Sequence, residues 1–158
     1  MKALTRFKLF VWVFGRFKVP MIGYTRPRLV HLSHTEIVVK LPLTRRTKNH
    51  LNSMYFGALA VGADIAGGLH GFYHAESAKV KASLVFKSFQ ANFLSRPESD
   101  VYFVSTMGDT VKSMIEASKQ SGERINKPIK VTAYTHYDHP EQAQEVAHFV
   151  LELSLKVI

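Results

Sequence analysis

The stretch SMYFGALAVGADIAGGLHGFYHA, residues 53–75, decides the fold of this chain. It contains no Lys, Arg or Glu, and small or apolar residues occur on every face of a helix drawn through it. A helix that is hydrophobic all round is typical of a protein core or a membrane. Its five glycines each weaken a helix by up to ~1 kcal/mol relative to alanine, which indicates that another element packs close to its backbone. We therefore predict a central buried helix wrapped by a sheet, with Asn52 or Ser53 as its N-cap.

Asp64 is the one acidic residue of this stretch and lies in its middle. A buried ionised carboxylate costs several kcal/mol unless it is paired, and desolvation raises its pKa. Asp64 is therefore either bonded to neighbouring backbone or to a lysine, or it is a general base or nucleophile. A transmembrane helix is disfavoured, because Asp64 would lie at mid-span and the flanking segments have the pattern of soluble strands.

The composition predicts one globular domain over residues 1–158, located in the cytoplasm. The chain has no cysteine, which excludes a disulfide scaffold, a thiolate metal site and a thiol nucleophile, and is typical of a reducing compartment. The net charge of +9 is concentrated in residues 1–50, which hold eleven Lys or Arg and one acidic residue, Glu36. Such a segment attracts lipid headgroups, nucleic acid or a phosphate-bearing ligand. Nucleic acid is disfavoured, because no binding motif is apparent and the aromatic residues resemble core residues.

The N-terminal residues 1–20 are predicted to form a helical extension that ends at Pro20. Apolar residues occur at helical spacing between basic ones; they are Phe7, Phe10, Val11, Phe14 and Phe17. The apolar run is too short for a signal peptide or a bilayer span. Two interpretations of residues 2–18 remain: a helix that packs on the domain and covers its core, or a basic amphipathic helix that lies on the inner face of an anionic membrane.

Hydrophobic patterns predict a sheet and one surface helix in the rest of the chain. Strands are expected at 28–46 (one long or two joined), 78–95, 101–105, 129–138 and 146–158, and the helix at 106–122. This order favours a single antiparallel sheet with helices on one side.

The residues around Gly57 carry a resemblance to a known family. Asn49 stands eight residues before Gly57, and Asp64 seven residues after it. This spacing resembles that of hotdog-fold acyl-CoA thioesterases of the phenylacetyl-CoA type, in which an Asn precedes a His-Gly-Gly and an acidic residue follows within the helix. The sequence departs from that pattern at Tyr55, in place of the His, and at Phe56, in place of the first Gly. The run Phe-Gly-Ala-Leu that starts at Phe56 is also similar to a group of uncharacterised hotdog proteins.

The resemblance implies an α+β hotdog fold, a long antiparallel sheet wrapped around the central helix, and thioester hydrolysis with acyl-CoA as substrate. Asp64 then serves as base or nucleophile, and the Gly57 backbone N–H donates to the oxyanion. Asn49 either orients the water or the carbonyl, or is an ordinary turn residue. Coenzyme A enters only as part of the substrate, and no separate cofactor is expected. The alternative is a non-catalytic hotdog protein that binds acyl-CoA or a fatty acid.

The spacing within the helix predicts the assembly. Seven residues separate Gly57 from Asp64, which is about 10 Å along a helix. Both residues therefore cannot reach one carbonyl from the same chain. Two antiparallel helices side by side would bring Gly57 of one subunit near Asp64 of the other. We expect a homodimer with two composite sites, and pairing of dimers into a tetramer is left open.

Basic residues at both ends of the central helix are candidates for holding the phosphates of coenzyme A. They are Arg45, Arg46, Lys48, Lys79 and Lys81. The alternative is a solvated basic face. His70 and His74 have the i, i+4 spacing of a metal-ligand pair, but no second cluster completes a site, and no metal is predicted.

Overall fold

The fold is known from a computed structural model, which describes residues 2–158, and is built around the helix α3, Phe56–Ser77. The strands are β1 (Arg28–Leu32), β2 (Ile37–Leu41), β3 (Ala82–Phe93), β4 (Val101–Ser105), β5 (Ile125–Thr135) and β6 (Gln144–Val157). They form one antiparallel sheet in the order β1-β2-β4-β5-β6-β3. The predicted α+β hotdog fold is thus confirmed, with segment 28–46 resolved into two strands. The surface helix predicted at 106–122 is α4 (Gly108–Ser121). None of the helices within residues 2–158 combines the length and hydropathy needed to cross a bilayer.

The N-terminal segment consists of α1 (Ala3–Val13), a π-helical turn (Phe14–Lys18) and α2 (Pro20–Thr25). The helical segment that begins at α1 ends at Lys18, just before Pro20. Pro20 is itself the first residue of the further helix α2, where a missing N–H costs nothing. Phe17 does not share the packed face of the N-terminal segment, although it has the same helical spacing as Phe14 and Phe10. The Val19 N–H donates to the Phe14 carbonyl at 2.9 Å, and this i→i+5 turn rotates Phe17 into solvent, where it is 66% exposed.

The start of α3 differs from the prediction. Its N-cap is Tyr55, which has no side-chain capping bond, and neither Asn52 nor Ser53 caps the helix. The Asn49 side-chain oxygen instead accepts hydrogen bonds from the Ser53 backbone N–H at 3.2 Å and the Ser53 hydroxyl at 3.3 Å. Asn52 adopts a left-handed conformation with φ of 59°. These bonds turn the chain before the helix begins and so delay its start.

Gly62 of α3 permits the close packing that the sequence predicts. A Cβ atom at Gly62 would overlap the Phe103 ring, which is fully buried in β4. At Gly67, a Cβ atom would only reach ordinary contact with Leu151 and Val131, both at 3.6 Å. The helix backbone therefore lies against the sheet at Gly62, whereas Gly67 has room for a methyl group.

These two glycines give a matched pair of stability predictions. Gly62→Ala should destabilise the protein by about 1–3 kcal/mol, because the buried Phe103 ring cannot move aside without strain. Gly67→Ala should leave stability unchanged or raise it by up to ~1 kcal/mol, because alanine favours helix. Chemical denaturation of both variants measures the difference. Equal effects at the two positions would contradict the proposed close contact.

His70 lies on α3 and is fully buried. Its Nε2–H donates to the Ser33 carbonyl oxygen at 3.2 Å, and its Nδ1 has no hydrogen-bond partner in the described chain. The His74 ring stacks on it at 5.5 Å between centroids. Burial lowers the pKa of His70 to about 4, and the charge of His74 lowers it further, against the raising effects of the Ser33 carbonyl and of Asp109. His70 is therefore neutral at pH 7.

The stability of the protein should fall as the pH falls from about 6.5 to about 4. In that window the unfolded chain binds a proton at His70, with an ordinary pKa near 6.5, whereas the folded chain does not bind it until the pH reaches about 4. Near pH 4 the free energy of unfolding should therefore be lower by about 3 kcal/mol than at neutral pH. His70→Gln keeps a donor for the Ser33 carbonyl and does not titrate, so its denaturation free energy should vary less with pH. An identical pH profile for the variant would show that other groups cause the loss.

Candidate active site

Asp64 projects into an apolar cavity of about 340 Å³ between α1, α3 and β3. Every other residue that lines this cavity is apolar or glycine. They are Phe10, Val11, Phe14, Val19, Ile22, Ile65, Gly68, Leu69, Phe72, Leu84, Val85 and Phe86. The N-terminal helices therefore form one wall of the cavity, and the carboxylate is its one ionisable group.

The surroundings of Asp64 make its carboxylate a stronger base than an exposed one. Within the described part of the chain it has no hydrogen-bond or salt-bridge partner. Burial raises the pKa of the Asp64 carboxyl above its ordinary value of 3.8. Among the contacts of residues 2–158, Asp64 has neither the bond to neighbouring backbone nor the bond to a lysine that the structural alternative requires. An unpaired, desolvated carboxylate in a cavity is the arrangement expected of a functional group.

Asn49 lies at a different cavity, about 450 Å³ in volume, at the start of α3. The loop before α3, the first turn of α3 and the segment after β3 enclose it. Its lining residues are Asn49, His50, Ser53, Met54, Tyr55, Phe56, Leu59, Phe93, Leu94, Ser95, Arg96 and Pro97. One chain therefore does not bring Asn49 and Asp64 into one cavity, and the side-chain oxygen of Asn49 is engaged by Ser53.

Gly57 is the second residue of α3, in the first turn, where backbone N–H groups have no acceptor within the helix. The Tyr55 ring lies against its Cα, since a Cβ atom at Gly57 would approach the Tyr55 Cε1 atom to 2.5 Å. The Tyr55 and Phe56 rings are 4.7 Å apart between centroids, and Phe56 is 61% exposed. The two residues that depart from the family pattern therefore form an aromatic rim next to the candidate oxyanion donor.

The five basic residues predicted to hold phosphates do not form one cluster in a single chain. Arg45, Arg46 and Lys48 precede α3, while Lys79 and Lys81 follow it. The helix has 22 residues and so separates the two groups by about 33 Å. All five side chains are exposed. One chain therefore does not bring both groups to a single phosphate, because the central helix is too long.

Part of the Asp64 cavity was not predicted from the sequence, although a signal for it exists. Gly68 and Phe72 follow Asp64 at intervals of four residues, which places all three on one face of α3. The contribution of β3, through Leu84 and Phe86, depends on tertiary packing and has no local signal. Among the residues that the structure describes, no group of three His, Asp or Glu side chains is arranged to hold a metal ion.

Comparison with protein families gives one match over most of the chain. The family described as "Domain of unknown function (DUF4442)" matches residues 7–150. Comparison with curated proteins by sequence gives no match.

Solved structures share the fold over nearly the whole chain at low sequence identity. A protein of unknown function from Chlorobaculum tepidum has a TM-score of 0.81 at 9% identity, covering 97% of this chain and 96% of its own. A Pseudomonas aeruginosa protein, described as a probable thioesterase, has a TM-score of 0.77 at 16% identity and covers 95% of each chain. A Haemophilus influenzae thioesterase has a TM-score of 0.68 at 14% identity, covering 99% of this chain and 92% of its own. At these identities the likeness shows a common fold.

Proposed function

We propose, from the premise that this chain belongs to the DUF4442 family and has the hotdog fold, that it is a thioester hydrolase acting on acyl-CoA. One observation carries the proposal: the unpaired Asp64 carboxylate faces a cavity that is otherwise apolar. Hydrolysis of an acyl thioester needs a base or nucleophile at the carbonyl and an apolar space for the acyl chain. Solved structures of the same fold include proteins described as thioesterases, which supports the reaction class.

In the proposed reaction the Asp64 carboxylate takes a proton from a water molecule, which attacks the thioester carbonyl. Direct attack by the carboxylate, followed by hydrolysis of the anhydride, uses the same group as nucleophile. The Gly57 N–H of a second copy donates to the developing oxyanion, aided by the N-terminal end of α3. The thiolate of coenzyme A leaves, and the phosphates lie near Arg45, Arg46 and Lys48 of one copy and Lys79 and Lys81 of the other.

A homodimer is part of this proposal, and the edge strand β3 supports it. The sheet order places β3 at one edge, where a second copy can pair with it. Val85, Phe89 and Phe93 of β3 are 43–52% exposed, and Phe56 lies 6.4 Å from Phe93 between ring centroids. A second copy across this edge would cover these side chains. A two-fold axis would also bring each Gly57 toward the other chain's α3.

A second candidate function is binding of acyl-CoA or a fatty acid without turnover. The specific observation in its favour is the Tyr55 ring beside Gly57, which crowds the approach of a carbonyl to the oxyanion donor. This candidate uses the same Asp64 cavity and differs only in the chemistry.

Release of free coenzyme A thiol from a panel of acyl-CoAs of increasing chain length tests the proposal. We expect turnover by the wild-type protein and a loss of about a thousandfold in Asp64→Asn. Glu141→Gln, which removes an exposed carboxylate from the β5–β6 connection, is the control and should keep full activity. Binding of the panel without thiol release by the wild-type protein would support the second candidate instead.

A further inference from the structure

A groove lined by four arginines lies beside the Asp64 cavity, and only one of them, Arg46, is among the residues proposed to lie near the phosphates of coenzyme A. Its volume is about 550 Å³, and α1, the π-helical turn, α2 and the start of β1 enclose it. Gly15 and Gly23 bring the π-helical turn and α2 into backbone contact, since a Cβ atom at Gly15 would lie 2.8 Å from the Gly23 nitrogen. The cations of the groove are Arg16, Arg26, Arg28 and Arg46.

The charge of this arginine groove is not compensated. Across residues 2–158, no Asp or Glu lines it, and none of its four guanidinium groups forms a salt bridge. Two of them lie over aromatic rings instead: Arg16 over Phe17 at 5.4 Å, and Arg46 over Tyr24 at 5.0 Å. Guanidinium groups gathered around one cavity repel one another, and a phosphate would relieve that repulsion through bidentate hydrogen bonds.

Exposed apolar side chains stand next to the arginine groove. Leu9, Trp12 and Val13 lie on one face of α1 at spacings of three and four residues, and are 54%, 62% and 40% exposed. Phe17, whose ring centroid lies 6.4 Å from that of Trp12, and Met21 of α2 are also exposed, at 66% and 69%. The opposite face of α1 packs into the core through Phe7 and Val11 and their neighbours. We call the five exposed residues the apolar rim; soluble proteins seldom leave such a cluster in water without a partner.

We propose that the arginine groove binds the phosphate headgroup of an anionic phospholipid while the apolar rim inserts among the acyl chains, so that the protein docks on an anionic membrane surface. A soluble phosphate compound would satisfy the arginines and leave the rim in water. An apolar protein partner would cover the rim and leave the arginines uncompensated. A lipid surface supplies both partners side by side: its phosphates would meet the arginine groove, and its hydrocarbon would meet the apolar rim. Tryptophan at the rim is typical of membrane interfaces.

The groove and the Asp64 cavity share a wall. Val11 lines both cavities, so a docked protein would hold its apolar cavity close to the lipid. The inference rests on the N-terminal helices, Arg26, Arg28 of β1 and Arg46, and it does not depend on hydrolysis at Asp64.

Trp12 is the only tryptophan of the chain, and its fluorescence therefore reports on the rim directly. With mixed phosphatidylcholine–phosphatidylglycerol vesicles we expect a blue shift of Trp12 emission, quenching by brominated lipids, and co-flotation of the protein. Vesicles of phosphatidylcholine alone should bind at least tenfold more weakly. High salt should weaken binding to the anionic vesicles.

The double variant Arg16→Gln/Arg28→Gln should bind anionic vesicles about tenfold more weakly or worse. Lys119→Gln/Lys127→Gln removes the same charge from exposed sites on α4 and β5 and should have a much smaller effect. Equal losses in the two double variants, or equal binding to neutral vesicles, would overturn the headgroup site. A response of Trp12 to soluble coenzyme A but not to vesicles would assign the groove to a soluble phosphate ligand. A blue shift that grows with protein concentration in the absence of lipid would assign the rim to a second copy.

Discussion

Asp64→Asn is expected to yield a protein that is more stable than the wild type and that has lost turnover. The carboxylate lies among apolar side chains without a partner in the described chain, and burial raises its pKa. Keeping it ionised at pH 7 therefore costs folding free energy, which the neutral amide of similar size does not. We expect a gain of about 1 kcal/mol, which for a chain of this size is roughly 3 °C in Tm.

The pH dependence of this gain distinguishes desolvation from other causes. The pKa of Asp64 is higher in the folded state than in the unfolded state. The carboxyl therefore destabilises the fold only when the pH rises above the pKa that Asp64 has in the unfolded chain. Well below the ordinary pKa of 3.8 the group is neutral in both states, and wild type and variant should then have equal stability. The difference should grow as the pH rises through the folded pKa and then stay constant. Denaturation free energies of both proteins at several pH values measure it.

Glu141→Gln is the control for this comparison, because the exposed carboxylate of Glu141 carries no desolvation cost. A loss of stability in Asp64→Asn at neutral pH would mean that the carboxylate makes favourable bonds in the assembled protein. Asp64 would then have a structural role, as a carboxylate bonded within the protein, and the case for Asp64 as a general base would weaken.

Local hydrophobic patterns predicted most of the helices and strands, because these patterns follow directly from which side chains of each element are buried. The apolar helix around Asp64 and the alternating strands were recognisable without tertiary information. The start of α3 was not, since the side chain of Asn49, seven residues before the first residue of the helix, binds Ser53 and fixes the turn. The outward position of Phe17 depends on a single extra residue in a π-helical turn, which leaves the hydrophobic spacing almost unchanged.

The candidate site was predictable only in part. Asp64 was identifiable because an acidic residue in an apolar helix is costly. The arginine groove was not, because Arg46 lies thirty residues from Arg16 and joins it only when the loop before α3 packs beside α2. The length of α3 also separates the basic residues at its two ends. The charges in the sequence alone do not show how large this separation is. Contacts between remote segments thus decide which of the predicted residues act together.

Mixing two inactive variants should restore activity if the site is composite. In one chain Asn49 and Asp64 face different cavities, and Gly57 lies seven residues from Asp64 on the same helix. Asp64→Asn removes the base, and Gly57→Val places a branched side chain where the carbonyl must approach the N–H. Each homodimer should be nearly inactive. A heterodimer keeps one site intact, built from Asp64 of one chain and Gly57 of the other.

Random assortment of an equal mixture makes half of the dimers heterodimers with one intact site of two, so activity should return to about a quarter of the wild-type value. Differently tagged chains, co-expressed and purified through both tags, should give heterodimers with about half of the wild-type activity by the same arithmetic. A mixture of Asp64→Asn with Asp64→Ala is the control; every site then lacks its carboxylate, and no recovery is expected. Purified heterodimers of Asp64→Asn and Gly57→Val that stay inactive would show that Asp64 and Gly57 do not serve one carbonyl. The oxyanion would then need a donor other than Gly57, whereas the role of Asp64 as base would still rest on its own variant.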